Sequence, residues 1–439
     1  MKSICDVVIV GGGVIGASIA YQLSRDTNLS ITLIDQKRPG NASRASAGGL
    51  WAIGESVGLG CGVIFFKTMS KRMELSNDSS LAEDIKPHQL PRFFFDFCLK
   101  SNNMFPALWQ EIKDNHGLDF KLQKTGLKFV IYDKYDMDYA QQIYNSIGHL
   151  HDQVRWYDTQ ELREDEPYVS HEAIGALEFM RDDQVNPYLL VEYLLEAARR
   201  QGVNVISNTA VCNIKKTGDR ISSVITSDGD EIACNTLINA SGSWASEVSE
   251  MATGKKLPIM PVKGQIVLTE KTPKIMNACM STSDCYIAQK DNGEILIGAT
   301  TEEEGFDITN TIDTTLDLAK GAARCLPILN ECSVKRCWSG LRPATPDEVP
   351  IMGRVEGTEG YINACGHFRT GIVTSALTAD IISCVVQDKP TPIDITPFLT
   401  SRFTKDNYSW SFLGEQQVEP VTASEQKGKA NNKERVASV

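Results

Sequence analysis

The apolar run Asp6-Val-Val-Ile-Val10 passes directly into Gly11-Gly-Gly13-Val-Ile-Gly16 and then into an amphipathic pattern that continues to about Arg25. This order, buried strand then glycine turn then helix, strongly restricts what the chain can fold into. A second apolar run, Ile31-Thr-Leu-Ile-Asp35, completes a βαβ unit, and such a unit belongs to a parallel sheet covered by helices. In the GxGxxG pattern Gly11 permits the tight turn. Gly13 lets the backbone approach a pyrophosphate, and Gly16 lets helix and strand pack closely. The helix N-terminus adds N–H donors and a positive partial charge for the phosphates. Asp35 ends the second strand 19 residues after Gly16, where a carboxylate accepts from ribose hydroxyls. Strand, turn, helix and terminal acid together predict a dinucleotide site.

Which dinucleotide is decided further along the chain. Thr236-Leu-Ile-Asn-Ala240-Ser-Gly242-Ser-Trp244 has the form of another buried strand that ends in small residues, where a ligand can come close to the backbone. Taken alone it is equally an ordinary strand-to-helix turn. An NAD domain normally finishes in one contiguous block. Here the nucleotide elements return more than 200 residues after the first unit, the bipartite arrangement of FAD-binding chains. Arg44-Ala-Ser-Ala-Gly48-Gly49-Leu50-Trp51 is too small and glycine-rich for a core element and reads as a loop threading along a flavin.

The other segments are plainer. Asn186 is the predicted N-cap and Pro187 the first residue of a helix carrying Leu189, Leu190, Tyr193, Leu194 and Ala197 at helical spacing. Residues 203–240 alternate short strands with turns, residues 259–299 are strand-rich, and a last helix is predicted from about Gly371 to Val386. Beyond Leu413 large apolar residues nearly vanish, so the tail, 413–439, is expected to be disordered. The net charge of −12 argues weakly against a nucleic-acid partner, which would need a basic face. The 12 cysteines form no CxxC pair and no metal-like cluster with histidine, so they read as reduced thiols of a cytoplasmic protein with no metal site. Cys61, between two glycines, reads as a packing position before a redox thiol. The glycines that break up the first apolar stretch exclude a signal peptide or membrane span there.

Two long segments carry a family resemblance: Arg38-Pro-Gly-Asn-Ala-Ser-Arg-Ala-Ser-Ala-Gly-Gly-Leu-Trp-Ala-Ile-Gly-Glu-Ser-Val-Gly-Leu-Gly-Cys-Gly-Val-Ile-Phe-Phe66 and Cys365-Gly-His-Phe-Arg-Thr-Gly-Ile372. Through them the sequence resembles the glycine oxidase and D-amino-acid oxidase superfamily of flavoenzymes over residues 1 to about 405, and within it the cyanide-forming members. The resemblance implies an α/β plus α+β fold. A GR2-type, Rossmann-like FAD-binding domain (1–85, 172–258 and 336–412) would be interleaved with an antiparallel-sheet substrate domain (86–171 and 259–335). It implies Arg342, in Gly340-Leu-Arg-Pro343, as the clamp for a substrate carboxylate and Tyr286 as an active-site tyrosine. Arg369 would be a second arginine at flavin and substrate. A guanidinium suits the carboxylate role, being a planar fork that keeps its charge when desolvated.

FAD contacts are expected at Gly11, Gly13, Gly16, Asp35, Arg44, Gly49, Leu50, Val211, Ala240, Gly242, Trp244, His367, Arg369, Gly371 and Ile372. The last helix would direct its N-terminus at the flavin O2, and His367 is a lining residue in preference to a base. No acid/base dyad is expected. Monomeric sarcosine oxidases, by contrast, carry a flavin-linking cysteine in the turn corresponding to Ser339–Thr345; none occurs here, so FAD is expected to be non-covalent. The implied reaction is oxidation of glycine or another small amino acid to the imine and on to hydrogen cyanide and CO2. Electrons would pass to partner subunits of a hetero-oligomeric complex that meets a membrane only peripherally, if at all. Opine, D-hydroxyproline or other secondary-amine dehydrogenation stays open on the same motifs. A non-catalytic flavin-carrying subunit is the reading that Arg342, Arg369 and Tyr286 together oppose.

Overall fold

The computed structural model describes residues 2–59, 61–76 and 86–403. The expectation for the 413–439 tail and the side chain of Cys61 fall outside the described residues.

The N-terminal strand Lys2–Val10 lies in the middle of an eight-stranded sheet. From one edge the order is Ile351–Arg354, Tyr361–Cys365, Glu231–Asn239, Lys2–Val10, Ile31–Asp35 and Asn204–Ser207. The four pairings from Tyr361–Cys365 onward are parallel. Val7, Val8, Ile9 and Ile34 are buried, so the sheet is covered on both sides, which a parallel sheet requires. One cover is helical: Val14–Asp26, Pro187–Arg200 and Gly371–Val386 share a core through Ile19, Leu23, Leu190, Leu194, Leu377 and Ile381. The predicted cap is present, the Asn186 side chain accepting from Leu189 N–H at 3.1 Å with Pro187 at the first turn. Gly371–Val386 is buried nearly all round, which matches its lack of a polar stripe.

The second sheet runs Val334–Ala344, Met260–Thr269, Ile295–Gly298, Tyr286–Gln289, Cys279–Ser281, Leu127–Ile131, Gly175–Phe179, Val154–Tyr157. It is antiparallel except where Cys279–Ser281 meets Leu127–Ile131 in parallel. Four elements sit differently from the expected boundaries. Gly175–Phe179 and Val334–Ala344, placed by those boundaries with the nucleotide domain, pair in the second sheet instead. Their partners, Leu127–Ile131 and Met260–Thr269, offer matching apolar registers far away in sequence. Conversely, helices Arg92–Asn102 and Phe105–His116 place Phe94, Phe97, Phe105 and Ile112 in the nucleotide-side core, where they pack with Phe398 and the Gly371–Val386 helix.

The segment after the first βαβ unit also departs from a plain loop. It forms the helix Ala42–Ala45 and the strand Gly49–Leu50, which pairs with Asp183–Gln184. Ala47, Leu50 and Trp51 are buried core residues. The buried Lys290 ammonium donates to the carbonyls of Ala47 and Val185 and to the Gln184 side chain, so a side chain from just beyond Tyr286–Gln289 holds what the segment's own small residues cannot.

Candidate active site

The two sheets enclose a cleft of about 240 Å³ whose lining runs from the glycine turn to the second sheet. At one end lie the glycine turn and Asp35. Gly11 has φ +108°, and a Cβ there would stand 2.3 Å from the Ala240 carbonyl oxygen. A Cβ on Gly16 would stand 1.9 Å from the Gly11 carbonyl oxygen. Turn, helix and returning strand therefore meet only because both positions are glycine. One helix donor is already committed, since Val14 N–H donates to Ser43 Oγ at 2.9 Å. Arg44 holds Glu192 at 3.0 Å and lies 3.6 Å from Asp35. Gly49, Val211, Ala240, Gly242, Trp244, His367, Gly371 and Ile372 line the same cleft, whereas the expected contacts Arg44, Leu50 and Gly16 are not part of its lining.

The other end is built mainly on the second sheet. Arg342 lies on Val334–Ala344 and its guanidinium covers Gly264 of the neighbouring strand, where any Cβ would come within 2.4 Å of Nη1. It donates to the Thr300 carbonyl at 2.9 Å, and among the described residues no acidic side chain pairs with it. Tyr286 packs edge-to-face on Trp51, ring centres 5.2 Å apart, and burial pushes its phenol up. Arg369 follows Phe368, which has φ +43°, in the turn leading to the Gly371–Val386 helix. It lies 3.6 Å from Glu55 and 3.8 Å from Glu348. All three expected residues, Arg342, Tyr286 and Arg369, thus line one cavity. His367 is buried, its Nε2 lies 3.1 Å from Thr378 Oγ1, and burial pulls its pKa down to about 3, so it is neutral at physiological pH.

Glu55 was missed from the sequence. It sits on the short helix Ala52–Ser56, whose Ile53 and Gly54 N–H groups donate to Asp182 at 3.0 and 2.6 Å. Burial raises its pKa above the usual carboxylate value against the pull of Arg369 and Arg342, and Glu348 adds to the rise. Its only sequence signal is a lone acid in the small, apolar stretch Ala52-Ile-Gly-Glu-Ser-Val57.

The residues present fit a flavin dinucleotide. Asp35 Oδ2 and Trp51 Nε1 are buried without hydrogen-bond partners on the cleft walls, an acceptor at the ribose end and a donor at the opposite end. Residues 6–384 match the FAD dependent oxidoreductase family, DAO. The chain belongs to that family. FAD is accordingly its cofactor. The chain is 57% identical over 400 residues to the hydrogen cyanide synthase subunit HcnC of Pseudomonas protegens, covering 91% of this chain and 96% of the relative. It is 56% identical over 405 residues to the protein of that name from Pseudomonas aeruginosa, covering 92% and 97%. The crystal structure of glycine oxidase from Geobacillus kaustophilus superposes with a TM-score of 0.79 at 27% identity, covering 91% of this chain and 99% of that one.

Cys365 is the described cysteine that lines the FAD cleft. Burial pushes its thiol up to about 12, and a thiol rather than a thiolate is a poor nucleophile toward a flavin ring. Acid precipitation of the purified protein is therefore expected to release yellow flavin into the supernatant; flavin retained in the pellet would show a covalent link.

Proposed function

We propose that this chain oxidises glycine at Cα to the imine and on to hydrogen cyanide and CO2, passing the electrons to partner subunits. The observation that carries the proposal is Arg342, a cavity guanidinium with a neutral carbonyl partner and no acidic one among the described residues, beside the Tyr286 hydroxyl. That arrangement suits a small carboxylate, which Arg342 would hold by two parallel hydrogen bonds and Tyr286 by a third. Trp51 and Tyr286 wall the end where the substrate would lie, which favours a small amino acid. When bound, FAD would supply the acceptor for the Cα hydrogen and its electron pair. The Gly371–Val386 helix directs its N-terminus into the cleft and favours negative charge there.

The second oxidation is supported by the relatives named as hydrogen cyanide synthase subunits, which match nearly end to end. Glycine to hydrogen cyanide and CO2 releases four electrons and four protons, so two electron pairs must leave the site in sequence. The word subunit in those names supports a partner that takes them. Among the described residues no helix is long and apolar enough to cross a membrane. Anaerobic addition of glycine to the FAD-loaded protein should bleach the flavin's visible absorbance. No bleaching at saturating glycine would overturn the proposal.

A further inference from the structure

We propose that Glu55 is a catalytic residue of this site: its carboxylate binds the ammonium group of the incoming amino acid and takes one proton from it before the Cα–H bond breaks. This rests on the function proposed above, and it names a group for the half of the substrate that Arg342 does not hold.

Three acidic side chains line the main cleft: Asp35, Glu55 and Glu247. Asp35 stands at the glycine turn, and Glu247 lies on the rim opposite Arg38, 3.2 Å away. Glu55 alone shares the wall with Tyr286, Arg342 and Arg369. Its side chain is 19% exposed and is part of the cleft lining. Arg369 is balanced by Glu55 and Glu348 together, whereas Arg342 has no acidic partner among the described residues. A zwitterionic amino acid complements this pattern. Its carboxylate supplies the charge Arg342 lacks, and its ammonium meets the carboxylate that Arg369 only shares.

The chemistry requires the second contact. An ammonium nitrogen has no lone pair, so it cannot form the C=N bond as hydride leaves Cα. Glu55 removes that obstacle by a single proton transfer. The glycine zwitterion becomes the neutral amine, still bearing its carboxylate, and the Glu55 carboxylate becomes the carboxylic acid. The Cα–H bond then breaks with its electron pair going to the oxidised flavin. The nitrogen lone pair forms the C=N bond, and the protonated imine of glyoxylate remains. The charged and titratable groups acting on Glu55 are Arg369 and Arg342, which favour its anion, and Glu348, which opposes it. Tyr286, Asp182 and Cys98 also face it, and burial keeps all three acids above their usual values. A base poised above the ordinary carboxylate range suits proton removal near neutrality.

When Glu55 becomes neutral, Arg369 keeps Glu348 as a counter-charge, and Glu348 in turn lies 3.0 Å from the partly exposed His88. A separate cavity of about 40 Å³ is lined by Glu55, Trp51 and Tyr286 and also by the exposed Asp284 and Ile64. It has room for water to carry the proton outward.

The test uses FAD-loaded parent and Glu55→Gln. With the flavin chemically reduced beforehand, so that no turnover occurs, calorimetry compares glycine with acetate. The parent should prefer glycine, and Glu55→Gln should lose roughly 10- to 150-fold in glycine affinity while binding acetate as before. With oxidised flavin, the Glu55→Gln reduction rate should rise with pH as free glycine loses its own proton, whereas the parent should reach its plateau at lower pH. A variant with the parental glycine preference and pH profile overturns the assignment. Should the variant fail to hold flavin, the parent decides alone: its acid limb should stay in place when glycine is replaced by a small amino acid with a more acidic amine, and a limb that follows the substrate's amine overturns the assignment. A parent that glycine does not reduce contradicts the proposed function itself, which keeps the two failures apart.

Discussion

Arg342→Lys is expected to keep FAD and fold while losing about 10- to 150-fold in kcat/KM for glycine, the cost of roughly 1.5–3 kcal/mol for one charge-assisted hydrogen bond in a desolvated site. The positive charge survives, so only the fork is tested. A lysine ammonium lacks the planar fork that gives two parallel bonds to one carboxylate while a further N–H holds Thr300 O above Gly264. Arg342→Ala should cost more, and its residual rate should no longer distinguish glycine from glycinamide. Anaerobic flavin reduction by both compounds in the three proteins is the measurement. A lysine variant reducing at the parental rate, or a parent indifferent to the amide, would remove Arg342 from the carboxylate clamp.

Gly16→Ala is expected to yield protein without flavin. The new methyl would sit 1.9 Å from the Gly11 carbonyl oxygen, a backbone atom with no rotamer to escape into. Helix Val14–Asp26 must then move off the sheet, which costs about 3 kcal/mol or more of overpacking, and the phosphate site moves with it. Flavin content by absorbance should fall to near zero and Tm by about 3 °C or more. Gly148→Ala is the control, because its Cβ would approach nothing closer than 3.7 Å. Full flavin occupancy in Gly16→Ala would contradict the packing argument.

Local signals carried much of the architecture. The glycine turn, Asp35 at its strand end, the Asn186 cap and the final helix Gly371–Val386 all lie where neighbouring residues alone determine conformation. Strand partners were less legible. Gly175–Phe179 and Val334–Ala344 are short apolar runs whose sheet is chosen by registers with Leu127–Ile131 and Met260–Thr269, and nothing local encodes that choice. The same limit hid Glu55. Its meaning comes from Glu348 and Arg369, about 300 residues further along. Arg342 and Tyr286 were legible because each stands in a recognisable motif. Gly264, which makes room for Arg342, gave no sign of that role within its own strand.

The fates of glycine's nitrogen and carboxyl carbon distinguish a second oxidation from a single one. Carboxyl-labelled glycine, given to the FAD-loaded protein with its partner subunits and an electron acceptor, should yield one hydrogen cyanide and one labelled CO2 for every four electrons delivered. Glyoxylate and ammonia formed for every two electrons, with the label kept in glyoxylate and no cyanide trapped, would contradict it.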